Sequence, residues 1–169
     1  LCIVQCLGDT IKKFDLAGAF IGEKRNPVVV ESKNYRNAGA QHKYFKEFVA
    51  IAYSATVFEI ESKKYDTARE FVWVTFHPFV LKDWPILDTE EKIREALGEN
   101  PAYLDGRAVD EQILRKVAER VWVLVRSWGR GFVGSKTKND WTGPKQSGSS
   151  LVGRNLWLCY TQVGDRLPH

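Results

Sequence analysis

One short stretch of the chain brings together side chains that can act on a phosphate ester. Residues 27–36 read PVVVESKNYR, a run of valines that ends in Glu31-Ser32-Lys33. Residues two apart on a strand project to the same face, so Glu31 and Lys33 leave the strand side by side. A second acid, Asp15, lies one strand earlier. A hairpin between the two strands would set it beside Glu31 at the hairpin mouth. Two carboxylates a few ångströms apart repel unless a cation lies between them, and oxygen ligands of this kind suit Mg2+ or Mn2+. The carbonyl of Ser32 adds a third oxygen. Lys33 then faces an anionic oxygen or a water losing its proton. Hydrolysis of a phosphodiester needs this combination: a metal that neutralises the phosphate and acidifies its water, and a lysine that activates or stabilises. The plainer alternatives are an exposed strand carrying Glu-x-Lys as an ion pair, and Asp15 as a turn residue after Lys12-Lys13.

Several elements must hold these residues. Residues 1–7 and 11–22 read as strands. Pro27 opens the next strand, where a missing N–H is tolerated, and Val28, Val29 and Val30 suit a central strand buried on both faces. Tyr44, Phe45, Phe48, Ile51, Ala52 and Ala55 recur at spacings of three and four, which predicts a helix over 40–61 with one apolar stripe. A strand follows over 71–76, ended by His77-Pro78; a histidine in that setting is structural more often than functional. Asp88 and Glu91 resemble a capping box that starts a short helix stopped by Gly98. A longer helix is expected over 108–128, with Ile113, Val117, Val121, Leu124, Val125 and Trp128 buried. Residues 129–150 read as loop, and NLWLCYTQV as a last strand. Short links make the first three strands antiparallel neighbours. The long helix carries the chain back to a strand parallel to the third by a right-handed crossover. Trp73 and the aromatic helix face read as core.

Composition bounds the rest. The chain has 169 residues and 44% hydrophobic content, enough for a single domain with a real core. It holds no uninterrupted apolar run of about 18 residues, so no membrane span is expected, and the apolar start lacks the basic flank and cleavage site of a signal peptide. There is no methionine, so the chain reads as a domain cut from something longer or as a processed product. Cys2, Cys6 and Cys159 are an odd number with no CxxC pair, which favours reduced thiols and a cytoplasmic setting over a disulfide framework or a three-cysteine metal site. The net charge of +4 is uneven. Arg126, Arg130, Lys136, Lys138, Lys145 and Arg154 stand against the single acid Asp140 and are interleaved with Trp128, Phe132 and Trp141. Such a segment suits a polyanion such as nucleic acid; it also suits a plain solvated surface. No glycine-rich phosphate loop of the P-loop type is present.

FDLAGAF, a polar turn, PVVVESKNYR and AGAQHKYFKEFVAIA together resemble the PD-(D/E)xK nuclease superfamily, which includes many restriction endonucleases, and look closest to its Mrr-like branch. The resemblance covers under half of the chain. It implies a restriction endonuclease-like α/β fold, a mixed β-sheet core flanked by helices. Residues 1–80 would form that core, without its first helix and the acid that helix commonly carries, and 81–169 a helical and basic C-terminal extension. It implies that Asp15, Glu31 and Lys33 are catalytic, with Gln41 opening the next helix at the site. Asp15, Glu31 and the Ser32 carbonyl would hold Mg2+ or Mn2+. Position 14 is Phe where the family name has Pro. Tyr35 and Arg36, which follow the active strand, are candidate contacts to the nucleic-acid backbone, together with Arg126, Arg130, Lys136 and Lys138.

The function expected is therefore metal-dependent endonucleolytic cleavage of double-stranded DNA, as the cutting module of a larger restriction or phage-defence protein and in some settings as a homodimer. The alternatives from other classes are a catalytically inactive nuclease-like module that binds nucleic acid or protein, and an interaction domain without nucleic acid.

Overall fold

The structure is a computed structural model and describes residues 2–21, 25–34, 41–75, 86–127, 131–134 and 155–159. Apolar alternation near the start of the chain builds two separate hairpins. Strand β1 (Ile3–Gln5) pairs antiparallel with β2 (Ile11–Lys13), Ile3 opposite Lys13. Between them Gly8 and Asp9 sit at φ +62° and +56°, and Thr10 N–H donates to the Leu7 carbonyl at 3.3 Å. Two successive positive φ values match the right-handed twist of a tight hairpin. Strand β3 (Leu16–Ile21) then pairs antiparallel with β4 (Pro27–Lys33), Leu16 opposite Val30.

The single strand expected over 11–22 is thus two strands. The break follows from side-chain parity. Phe14 is buried and meets the rings of Phe48 and Phe71, each at 6.2 Å, and Ala17 packs against the same cluster. Three residues apart, they cannot share a face of one regular strand. The chain turns at Phe14-Asp15 and resets its alternation.

Helix α1 (Gln41–Lys63) joins β4 to β5 (Glu70–Thr75), and the two strands are parallel, Glu31 opposite Trp73. The stripe expected on this helix widens into burial on all sides: every residue from 48 to 57 is buried. The β1–β2 hairpin contributes to that cover, since Leu7 N–H donates to Ser54 Oγ at 3.0 Å. Helix α2 (Glu90–Glu99) is capped by Thr89, whose side chain accepts from Lys92 N–H, rather than by Asp88. It runs through Gly98 and ends at Asn100, whose N–H reaches the carbonyls of Ala96 and Leu97. A 3-10 turn, Pro101–Leu104, leads to α3 (Glu111–Arg120), capped by Asp110.

The long helix expected over 108–128 is half helix and half strand. After Arg120 the chain becomes β6 (Val121–Ser127), parallel to β5 with Phe71 opposite Val121. Val121, Leu124 and Val125 fit a helical period, but Val121 and Val123 also fit a strand period. The β-branched run VWVLV favours extended backbone, and pairing with β5 decides it. Strand β7 (Gly131–Gly134) falls inside the stretch read as loop and pairs antiparallel with β6. The last strand, β8 (Asn155–Cys159), pairs antiparallel with β3. The result is a mixed six-stranded sheet in the order β7-β6-β5-β4-β3-β8, apart from the small β1–β2 sheet.

Side chains alternate across this sheet. Val29, Phe71, Trp73, Val121 and Val123 face the three helices and share one core with them. Val28, Val30 and Val72 face the other way, with Leu16, Phe20, Val74, Trp122 and Leu124 packed around them. Residues 76–85, including Phe76 and His77, lie outside the described residues.

One ion-pair cluster ties the end of α3 to the segment before β5. Arg120 donates from both guanidinium ends to Asp66 at 2.7 Å, and Lys116 approaches at 3.1 Å. The Arg120 hydrogen bonds hold the Asp66 carboxyl well below the usual carboxylate range. A depressed pKa contributes stability above the unfolded-state value and loses it as pH falls below about 4. Asp66→Asn is therefore expected to cost about 1.5–3 kcal/mol at neutral pH. In urea melts at pH 7 and pH 3, the gap between wild type and variant should shrink at the lower pH.

Candidate functional site

Strand β4 delivers its two charged residues from inside the sheet. Val28, Val29 and Val30 are all but fully buried, so the strand cannot slip by one residue without placing the wrong set on each face. Glu31 and Lys33 follow on the helix-facing side, in register with Trp73 and Thr75 of β5. The Glu31 side chain is 6% exposed. Its Oε1 takes Lys33 Nζ at 2.6 Å and Lys12 Nζ, from β2, at 3.5 Å. Its Oε2 is buried and has no hydrogen-bond partner among the described residues. Lys33 Nζ also lies 6.0 Å from the centre of the Trp73 ring, within cation–π range.

Asp15 stands where β3 begins. The β3–β4 ladder ends with Leu16 opposite Val30, so Asp15 leaves β3 beside the end of β4 that carries Glu31. Asp15 Oδ2 accepts the Ser32 N–H at 2.7 Å, so the carboxylate is anchored to the peptide that follows Glu31. Ser32 enters the site through this backbone contact. Asp15, Glu31 and Lys33 thus lie at one end of the β3–β4 hairpin, where Glu31 and Lys33 touch each other and Asp15 touches the Ser32 backbone.

Gln41 opens α1 and is buried at 3% exposure. Its Nε2 donates to Thr75 Oγ1 at 3.3 Å, which fastens the first turn of the helix to the end of β5. Trp73 is core, as expected, edge-on to Phe45 and Phe48 with ring centres at 5.6 and 5.3 Å. It also lines the cavity beside Glu31. Tyr35, Arg36, Arg130, Lys136 and Lys138 lie outside the described residues. Arg126 is described through its backbone, opposite Phe132 in the β6–β7 pairing.

A cavity of about 30 Å3 opens at Glu31 and Lys33. Its charged lining is Glu31 and Lys33 from β4, Lys12 from β2 and Glu47 from α1. Phe48, Ile51 and Trp73 form its apolar wall, and Tyr44 completes the lining. Tyr44, Glu47, Phe48 and Ile51 follow the spacing of one helix face. Three of these four were legible as that face; Glu47 was the acid embedded in it. Lys12 carried no signal, because its hairpin was not separable from β3 in the sequence. Glu47 Oε1 accepts the Tyr103 hydroxyl at 3.1 Å. Burial, and then the Glu47 charge, push the Tyr103 phenol up to about 12.

Two carboxylates and two ammonium groups leave this cavity close to neutral. Among the described residues no three carboxylate, imidazole or thiol side chains gather as a ready-made metal cage. A hard cation here would draw on one or two carboxylates and complete its shell with backbone oxygen or water, as Mg2+ commonly does. The buried, unpartnered Oε2 of Glu31 fits that role: an oxygen cut off from water without a donor is costly unless something occupies its empty side. Cys6 is a free thiol. Cys6 is buried, and burial pushes its thiol up to about 11, which makes it an inert core residue.

If Glu31 is retained for chemistry, removing it should not weaken the fold. Glu31→Leu is expected to leave stability unchanged or raise it by about 1 kcal/mol in urea denaturation. A loss of about 3 kcal/mol or more would mark the Glu31–Lys33 pair as a structural ion pair. No family model, curated protein or solved structure matches the chain.

Proposed function

We propose that the protein is a metal-dependent endonuclease that hydrolyses phosphodiester bonds of DNA. The observation that carries this reading is Glu31: a buried carboxylate with one oxygen held by lysine and the other unpartnered among the described residues, followed in the chain by the Ser32 N–H that holds Asp15. Asp15, Glu31 and the backbone of Ser32 would hold Mg2+ or Mn2+. When bound, the ion supplies charge neutralisation at the phosphate and a more acidic water.

The remaining work belongs to the chain. Lys33 reaches the same carboxylate from the exposed side, 28% open to solvent. It is placed to release Glu31 and stabilise an anionic oxygen, or to take part in deprotonating the attacking water. Lys12, 32% exposed on the other approach, adds positive charge for the phosphate backbone. Gln41 orients the site through the hydrogen bond that fixes the start of α1. Tyr35, Arg36 and the basic stretch 126–154 would supply phosphate affinity independent of base sequence, which weakens steeply with salt. A cutting module of a restriction or phage-defence system, acting as a dimer on both strands, is the setting this chemistry suits.

One observation favours a second reading. Glu31 is already neutralised by Lys33 and Lys12, as a nuclease-like binding module without catalysis would have it. Plasmid nicking by the full-length protein separates the two. With Mg2+ or Mn2+ the wild type should convert supercoiled DNA to open circles. Lys33→Ala and Asp15→Asn should each slow this by about 100-fold or more. A wild type inert with every divalent ion, yet binding DNA in a salt-sensitive way, sinks the enzyme. Nicking that survives Lys33→Ala undiminished removes the role given to the lysine. An RNA substrate of equal length, run in parallel, tells which nucleic acid is cut.

A further inference from the structure

We infer, resting on the reading of Glu31 as a cation ligand, that Glu47 of α1 joins Glu31 in holding a divalent cation in the cavity the two share, which Asp15 does not line, and that Tyr103 holds Glu47 in position. The pattern of Asp15, Glu31 and Lys33 does not contain this residue. Cavity geometry, an orphaned oxygen and a tethered acid all bear on it.

Glu31 and Glu47 line one cavity of about 30 Å3, room for a single water-sized particle. Glu31 lines it with a side chain 6% exposed, and the more deeply buried Oε2 of that carboxylate has no hydrogen-bond partner among the described residues. Glu47 comes from the opposite wall, the helix. Its Oε1 takes the hydroxyl of Tyr103 at 3.1 Å, across 56 positions of sequence. Carboxylates that ligate metals are themselves hydrogen-bonded, which fixes their orientation. Tyr103 is the positioning residue in this arrangement, since it reaches the cavity only through Glu47.

The ligand set names the class of cation. The cavity offers carboxylate oxygen and neither thiol nor imidazole, which suits Mg2+, Mn2+ or Ca2+ over zinc or copper. The two lysines on Glu31 do not bar entry. Lys12 and Lys33 are 32% and 28% exposed, so each can turn outward as a cation takes the carboxylate. Both would then be available to a phosphate. The occupant that competes with this account is a single water bonded to Glu31, with Glu47 serving only as an acceptor for Tyr103.

Mn2+ titrated into the full-length protein without nucleic acid, followed by calorimetry, tests this. Tb3+ is the second probe, since Trp73 lines the cavity and would sensitise its luminescence. Glu47→Gln should weaken Mn2+ binding at least about tenfold and abolish the Trp-sensitised signal, and Tyr103→Phe should weaken binding about 10- to 100-fold. A wild type that binds no Mn2+, or a Glu47→Gln variant that binds as the wild type does, overturns the inference. Should Glu47→Gln lose its folded circular dichroism, Tyr103→Phe decides alone, and unchanged affinity there overturns it. Cation binding that depends on Glu47 in a protein that never nicks DNA leaves this site standing and removes the nuclease. Nicking with Mn2+ affinity indifferent to Glu47 does the reverse.

Discussion

Everything at the site depends on β4 being a strand with different kinds of neighbour on its two edges. On one edge it meets β3 antiparallel, and on the other it meets β5 parallel. The antiparallel edge brings Asp15 from a nearby part of the chain. The parallel edge forces a crossover, and the crossover is α1. A strand with this pair of neighbours therefore collects groups from a hairpin on one side and from a helix on the other. The three valines make its register unforgiving, because both faces are packed.

The electrostatics of the site follow from that placement. Glu31 is deep enough to lose water and shallow enough to be reached by two lysines. Buried ion pairs are poor sources of stability, since desolvation offsets much of the attraction. The sheet elsewhere shows what a purely structural acid looks like. Glu70, also buried, uses both oxygens, accepting from Asn26 on one and from the Trp122 indole on the other. Glu59 likewise takes Lys63, Thr67 and Arg69. Glu31 is the buried acid left with one oxygen unanswered among the described residues.

Much of this frame was readable in the residues, and the failures have physical causes. The β3–β4 hairpin, the start of α1 at Gln41, the parallel return to β5 and the last strand all follow from local pattern. The break at Phe14-Asp15 did not, because it is imposed by a core that residues from the two sides of the break must both enter. The change from helix to strand at Val121 did not, because a valine-rich run satisfies both periods and only pairing with β5 selects one. Lys12 and Glu47 were invisible for a related reason. Each belongs to a surface that exists only once distant elements have docked, and a charged residue in an amphipathic stretch reads as solvated until then.

The anchoring of α1 has a consequence for how the chain can change over time. Gln41 is fastened to Thr75, and Glu47 reaches the cavity six positions later. At about 100° of rotation per residue, a one-residue insertion between them would swing the carboxylate to another side of the helix. The middle of α1 is buried on every side, so the rotation would be resisted by the core as well. The angular setting of Glu47 is inherited from packing, and the helix works as an indexed shaft whose teeth are its own buried residues. Substitutions can drift through this segment, whereas insertions and deletions are confined to the connections on either side of it.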